Sequence, residues 1–327
     1  MSRPKVFISR KLPQAAVDII AAACDYRMWE SEEQPVPRDR LIQEVSEADG
    51  ALVLLTDRID AELMDAAPRC KVFANLAVGV DNVQVPEATK RGVLITNTPG
   101  VLTETTADLA FALMMASARR LYEGQRLIVE GNWKTWSPMF MTGQDVYGAT
   151  LGIIGAGRIG SALARRAKGF DMPVLYYNRR PSPELEAEVG AEYCSLDDLL
   201  RRSDFVVVLV PLTPETRGMI GARELGLMKS TAVFVNAARG PVVDEQALYN
   251  ALVNRQIWAA GLDVFEKEPI GADHPLLTLP NVTAVPHIGS ASIKTRTRMC
   301  TLAAENLVAA VTGRRPPTPV NPEVLER

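Results

Sequence analysis

The sequence of 327 residues is short of histidine, cysteine and aromatic side chains, and no sign of charge dominates it. Its four cysteines, Cys24, Cys70, Cys194 and Cys300, are scattered without a C-x-x-C pair. That spacing suggests neither a disulfide framework nor a zinc site. Basic residues number 36 and acidic residues 39, a net charge of -3, so no basic surplus points to nucleic acid or an anionic membrane. The arginine pairs at 119–120, 165–166, 201–202 and 314–315 read as solvated helix faces. Uninterrupted apolar runs are too short to cross a membrane, Phe205–Val210 being typical, and Met1-Ser-Arg-Pro precedes no apolar signal-peptide core. No low-complexity tract occurs, and no repeat beyond two βα series of different length. A cytoplasmic protein is expected.

What is present centres on Leu151–Arg180, LGIIGAGRIGSALARRAKGFDMPVLYYNRR. Leu151–Ile154 is a strand-type run, Gly155-Ala156-Gly157-Arg158-Ile159-Gly160 turns it into a helix, and Pro173–Tyr177 reads as the next strand. The helix carries an apolar stripe of Ile159, Leu163, Ala167 and Phe170. In such a βαβ unit Gly155 supplies the tight turn, Gly157 lets backbone approach a pyrophosphate, and Gly160 allows close helix–strand packing. The helix N-terminus offers free N–H groups and partial positive charge to the phosphates. A dinucleotide site is therefore expected. At the end of its second strand an NAD-preferring site would place Asp or Glu; here stand Asn178, Arg179 and Arg180. No carboxylate repels a 2′-phosphate, and two guanidiniums can pair with one, which favours NADPH.

The chain is long enough for two domains with ample cores. Strands are expected at Lys5–Ile8, Ala51–Leu55, Lys71–Leu76 and Val93–Asn97, with helices over Gln14–Ala23 and near Ala61–Ala67. Strands alternating with helices imply a parallel sheet covered on both faces. Pro99-Gly100 marks a break. A long apolar helix then spans Thr105–Tyr122, followed by a loop-like segment, Gly131–Gly143, that holds Trp133, Trp136, Met139, Phe140 and Met141. After the glycine unit, strands follow at Phe205–Val210, Ala232–Asn236, Ala259–Val264 and Val282–Val285, which brings the second sheet to six. Asp244 is the N-cap candidate of a helix over Glu245–Asn254, and Ala291–Val311 is a final helix before a proline-rich tail.

Four more signatures sit at these strand ends: Val210-Pro-Leu-Thr-Pro-Glu-Thr, Asn236-Ala-Ala-Arg-Gly-Pro-Val-Val-Asp-Glu, Gly261-Leu-Asp-Val-Phe-Glu-Lys-Glu-Pro and Pro286-His-Ile-Gly-Ser. With the glycine loop they resemble the D-2-hydroxyacid dehydrogenase family over nearly the whole chain. Leu76-Ala-Val-Gly-Val-Asp-Asn, Trp136-Ser-Pro-Met-Phe and the Pro-Pro-Thr-Pro-Val-Asn tail are similar to its glyoxylate/hydroxypyruvate reductase branch. The resemblance implies an α/β fold in which a Rossmann-type doubly wound parallel sheet domain, residues 100–287, is inserted in a smaller flavodoxin-like substrate domain. The latter would comprise residues 1–99 and return through 288–327. It also implies an active site in the cleft between them, at the carboxyl ends of the strands. Relatives in serine biosynthesis often add a regulatory domain, which is not expected here.

Reducing a 2-oxo acid needs a proton for the carbonyl oxygen, a grip on the carboxylate and exclusion of water. Of the two histidines, His274 is a plausible helix start, whereas His287 follows the last strand and matches the family's catalytic acid. A neighbouring carboxylate would stabilise its imidazolium. Spacing alone does not separate Glu266 from Glu268; the family pattern, an acid directly before proline, selects Glu268. Arg239 would clamp the substrate carboxylate with its planar fork of donors. By the resemblance, backbone N–H groups of Val78 and Gly79 complete carboxylate binding, and Leu55 lines the pocket. The cofactor set it implies adds Thr106, Val210, Pro211, Thr216, Ala237, Ala238, Asp263 and Gly289 to the glycine loop. No metal is called for.

The apolar helix and the tryptophan-bearing loop together suggest a homodimer interface, from which Trp136 would reach the partner subunit's site. Glyoxylate and hydroxypyruvate are the expected substrates. A phosphoglycerate dehydrogenase, a broad 2-oxo acid reductase and, outside enzymes, a dinucleotide-sensing corepressor-like assembly protein are the alternatives.

Overall fold

The computed structural model describes residues 3–326. The chain divides into two compact units, one formed by the chain up to Leu102 together with the stretch from Ala291 onward, the other by Thr103–Ser290.

The first unit is built on β1 (Lys5–Ile8), β2 (Asp25–Met28), β3 (Gly50–Leu54), β4 (Val72–Leu76) and β5 (Leu94–Thr96), in the order β2-β1-β3-β4-β5. Every pairing is parallel. Successive side chains of a strand leave opposite faces, and both faces are covered. Val6, Ile8, Leu52, Val72 and Ala74 pack against helices Gln14–Ala23 and Ile293–Val311, while Phe7, Ala51, Val53 and Phe73 meet Leu41, Leu63 and Ala88 on the other side. That two-sided burial is why these strands read as continuous apolar runs. The strand absent from the sequence reading, β2, is an exposed edge of Asp25-Tyr-Arg-Met and carries no such run. The proline-rich tail closes the other edge: Val320 N–H donates to Ile95 O at 2.8 Å, and the buried Asn321 side chain accepts from Ile95 N and donates to Val93 O.

The second unit holds β6 (Leu151–Ile154), β7 (Val174–Tyr177), β8 (Glu192–Tyr193), β9 (Phe205–Val208), β10 (Val233–Asn236), β11 (Ala259–Leu262) and β12 (Val282–Ala284). Their order is β12-β11-β10-β9-β6-β7-β8, all parallel, a doubly wound Rossmann-type sheet whose direction reverses between β6 and β9. Ligands of such sheets bind at the carboxyl ends beside that reversal. Seven strands stand where six are expected. The extra one, β8, is two exposed residues long and has no pattern to detect.

The long helix expected over Thr105–Tyr122 is in fact two, Thr103–Ala118 and Leu121–Val129. Arg120 between them takes a left-handed φ of 54°. Its guanidinium grips Glu123 through two bonds, at 3.0 and 2.6 Å, and donates to Thr142 O. Gln144 N–H takes the Ala118 carbonyl that a continuing helix would use. Gly143 lies so close that a Cβ there would come within 2.2 Å of the same oxygen. The returning loop, not local propensity, ends the helix. Among the described residues no helix is long and apolar enough to cross a membrane.

Candidate active site

The glycine loop leaves β6 at the sheet reversal. Gly155 has φ +98°, and a Cβ there would sit 2.8 Å from the backbone of Leu209 and Val210, so turn and packing both demand glycine. A Cβ on Gly160 would meet Gly155 O at 2.6 Å, which is the close helix–strand approach. Gly157 differs. It is the N-cap of helix Arg158–Lys168, and no protein atom lies within 4 Å of the Cβ it lacks. Protein packing does not demand glycine there, and the helix N-terminus is left open for a pyrophosphate to approach. Ala156 is held by Asn178, whose side chain accepts from Ala156 N at 2.8 Å and donates to its carbonyl at 3.2 Å. Asn178 thus supports the loop from β7. Arg179 and Arg180 next to it are exposed, and neither forms an ion pair with a carboxylate among the described residues. After β9, Val210 touches Gly155, while the Thr216 hydroxyl donates to Pro211 O at 2.6 Å and closes its own turn.

A second group gathers where β10, β11 and β12 end. His287 Nδ1 lies 2.7 Å from Glu268 Oε2, and Glu268 Oε1 accepts from Phe265 N at 2.9 Å. An ionised carboxylate can only accept, so Nδ1 carries the proton of that bond and Nε2 is left for other work. Burial alone would raise the Glu268 carboxyl. The His287 hydrogen bond and charge, the Phe265 N–H and Arg239 more than offset it, and the carboxyl is held below its ordinary range. His287 takes a left-handed φ of 53°, which costs a non-glycine residue about 1–3 kcal/mol. Asp263 holds that turn: its backbone carbonyl accepts from His287 N, and its carboxylate from Ile288 N and Gly289 N at 2.6 and 2.9 Å. Burial pushes the Asp263 carboxyl up to about 6, against those donors and His287. Gly289 also lies against Thr106.

Arg239 follows β10. The Asn236 side chain accepts from Ala238 N and donates to Arg239 O, so the strand end folds its own turn over Ala237 and Ala238. Gly240 is immovable, because a Cβ would fall 1.8 Å from the Phe265 carbonyl carbon. It locks the Arg239 turn onto the Phe265–Glu268 segment. The role of Gly240 is not readable in the sequence, since its partner, Phe265, is distant along the chain. Glu266, the rejected acid, is exposed, and its N–H donates to Glu245. His274 stacks edge-on against Phe265 and lies 3.4 Å from Glu245, a packing role. A cavity of about 510 Å³ at the amino ends of β10–β12, lined by Ser117, Arg255 and Trp258, contains none of these site residues.

A family model described as "D-isomer specific 2-hydroxyacid dehydrogenase, NAD binding domain" matches residues 111–289. A glyoxylate reductase of Korarchaeum cryptofilum is 53% identical over 325 residues, 99% of this chain and 98% of its own. Among solved structures, a protein of Thermus thermophilus is 43% identical, covering 97% of this chain and 99% of that one, with a TM-score of 0.90. The NADPH-dependent glyoxylate/hydroxypyruvate reductase of Sinorhizobium meliloti, solved with NADP and malonate, is 34% identical, covering 98% and 97%, with a TM-score of 0.83. The chain belongs to the D-isomer specific 2-hydroxyacid dehydrogenase family.

It is therefore an NAD(P)-dependent D-2-hydroxyacid dehydrogenase, and its glycine loop fits the dinucleotide that such enzymes bind. Of the remaining candidates of this dehydrogenase, Leu55, Val78 and Gly79 belong to the first unit and Trp136 to the second. Leu55 is exposed just past β3, and Val78 and Gly79 follow β4 by two and three residues. Trp136 is 74% exposed, within a stretch, 131–140, in which every residue is exposed.

Proposed function

We propose that this dehydrogenase reduces glyoxylate and hydroxypyruvate to glycolate and D-glycerate with NADPH as the reductant. The observation that carries the reading is the 2.7 Å bond between His287 Nδ1 and Glu268. It fixes the imidazole and stabilises its charged form, so that Nε2 hands a proton to the carbonyl oxygen. The bound nicotinamide supplies the hydride. Arg239 takes the substrate's carboxylate, as does the Val78–Gly79 backbone in the first unit, where Leu55 forms an apolar wall. The name of the Korarchaeum relative and of the Sinorhizobium structure supports the substrate class. NADPH is favoured over NADH because Arg179 and Arg180 stand exposed where an acidic residue would face the ribose, and the only carboxylate whose charge Arg179 is seen to meet among the described residues is the exposed Glu215. The exposed Trp133, Trp136, Met139 and Phe140 support a homodimer built through this region, in which Trp136 reaches the partner subunit's site.

The test is oxidation of NADPH and of NADH, followed by absorbance, against glyoxylate, hydroxypyruvate, phosphohydroxypyruvate and larger 2-oxo acids. NADPH with the two small acids should give the highest kcat/KM. A preference for the phosphorylated acid or for NADH would overturn the substrate or cofactor reading respectively. Dinucleotide binding without turnover of any acid would favour the assembly-protein alternative, and a monomer by light scattering would end the dimer.

A further inference from the structure

The loop after β4 is tied down through its carbonyls. Three successive carbonyls are taken by protein donors: Ala77 O by Thr98 N at 2.8 Å, Val78 O by Asn97 Nδ2 at 2.8 Å, and Gly79 O by Asn75 Nδ2 at 3.0 Å. In a trans peptide the N–H points opposite to the carbonyl of the same unit. Holding these three carbonyls therefore aims the N–H groups of Val78, Gly79 and Val80 the other way. None of the three N–H groups finds a protein acceptor among the described residues. Unsatisfied N–H groups, each with the carbonyl of its own peptide anchored on the opposite side, suit an anion.

The anchors are themselves fixed. Asn75 is fully buried on β4, and its amide exchanges two reciprocal bonds of 3.2 Å with the amide of Asn82. The two N–H groups of Asn82 are shared among its bond to Asn75, Leu54 O and Asp57 O in the turn after β3. Asn97 is gripped through its backbone: its carbonyl accepts from Thr318 Oγ1 at 2.6 Å and from the Asn306 amide at 3.3 Å. Asn75 lies four residues from Gly79, whereas Asn97 lies 19 residues from Val78.

We infer that Asn97 and Asn75 are positioning residues, which lock the two peptides flanking Gly79 so that its N–H stays aimed at the substrate's carboxylate. The inference rests on the proposed 2-oxo acid reduction. A flip of the Val78–Gly79 peptide would turn a carbonyl oxygen toward the anion, and these amides make the flip cost their hydrogen bonds. Asn97→Asp removes the donor and sets a carboxylate against the Val78 carbonyl, which favours the flipped peptide. Asn97→Ala only releases it.

The test is titration of the NADPH-bound enzyme with oxamate, a carboxylate analogue of a 2-oxo acid, beside steady-state kinetics with glyoxylate. Asn97→Asp should weaken oxamate and raise the KM for glyoxylate by about 10- to 100-fold, the worth of a hydrogen bond to a charged group. Its kcat at saturation, NADPH affinity and melting temperature should stay near wild type. Asn97→Ala should fall between, and it keeps the test open if the buried Asn75→Asp does not fold. Unchanged oxamate affinity in Asn97→Asp would overturn the inference. So would a joint loss of oxamate affinity, NADPH affinity and melting temperature, which marks a general structural role. A wild-type enzyme that reduces no 2-oxo acid would instead bring down the proposed function itself.

Discussion

Two loops at the carboxyl ends of parallel strands offer backbone N–H groups, and they are built in opposite ways. The loop after β6 in the second unit relies on absent side chains: Gly155 at φ +98°, Gly157 at the N-cap, Gly160 against a carbonyl. The loop after β4 in the first unit relies on side chains that reach in from behind, from Asn75 and Asn97. Only glycine tolerates the geometry at Gly155 and Gly160, so that loop announces itself as a motif. The second loop is only partly local: Asn75 lies four residues from Gly79, next to the run Leu76-Ala-Val-Gly-Val-Asp-Asn, but Asn97 reaches Val78 from 19 residues away. Both devices leave backbone N–H groups open, and only the first is written wholly in contiguous residues.

The largest expected effect separates both loops from the chemistry they serve. His287→Ala should lower kcat for glyoxylate by about 10²–10⁴, the usual worth of a positioned acid. NADPH and oxamate should still bind, because neither loop is touched. Near-wild-type turnover would show that the acid lies elsewhere. A smaller effect should fall on the dinucleotide side alone. Replacing Arg179 and Arg180 together by Ala should raise the KM for NADPH at least tenfold, since each charge-assisted bond is worth about 1.5–3 kcal/mol, and leave NADH use and oxamate affinity unchanged. An equal loss with both cofactors would mean that the arginines hold the fold of the loop and not a 2′-phosphate.

Much of the fold was legible because its strands are buried on both faces. β1, β3, β4, β6, β9 and β10 are short apolar runs that nothing else in a globular domain explains. The edges were not legible. β2 and β8 expose most of their side chains, so no burial pattern marks them. The end of the first long helix was hidden for another reason. It is set by Gln144 and Gly143 returning to Ala118, a contact between residues distant in sequence. At the candidate site, spacing left Glu266 and Glu268 equal, and only the family pattern chose between them. The structure separates them by what they touch: Glu268 bonds His287, and the Glu266 backbone N–H bonds Glu245. Asp263 shows the same limit. Its place after β11 was readable, but not its grip on the turn that carries His287.

The central claim is that Glu268 and His287 act as one proton-delivering pair, and a double-mutant cycle of Glu268→Gln and His287→Ala tests it most directly. Glu268 is held below the usual carboxylate range, so in the wild type its charge is present from mildly acidic pH upward. Burial pushes Asp263 up to about 6, so kcat is compared well above that pH, where both carboxyls are ionised. Glu268→Gln alone should lower kcat for glyoxylate by about tenfold or more, and adding it to His287→Ala should cost little further, because residues that act as a unit are not additive. The KM for NADPH should not change. Losses that multiply in the double mutant would contradict the account.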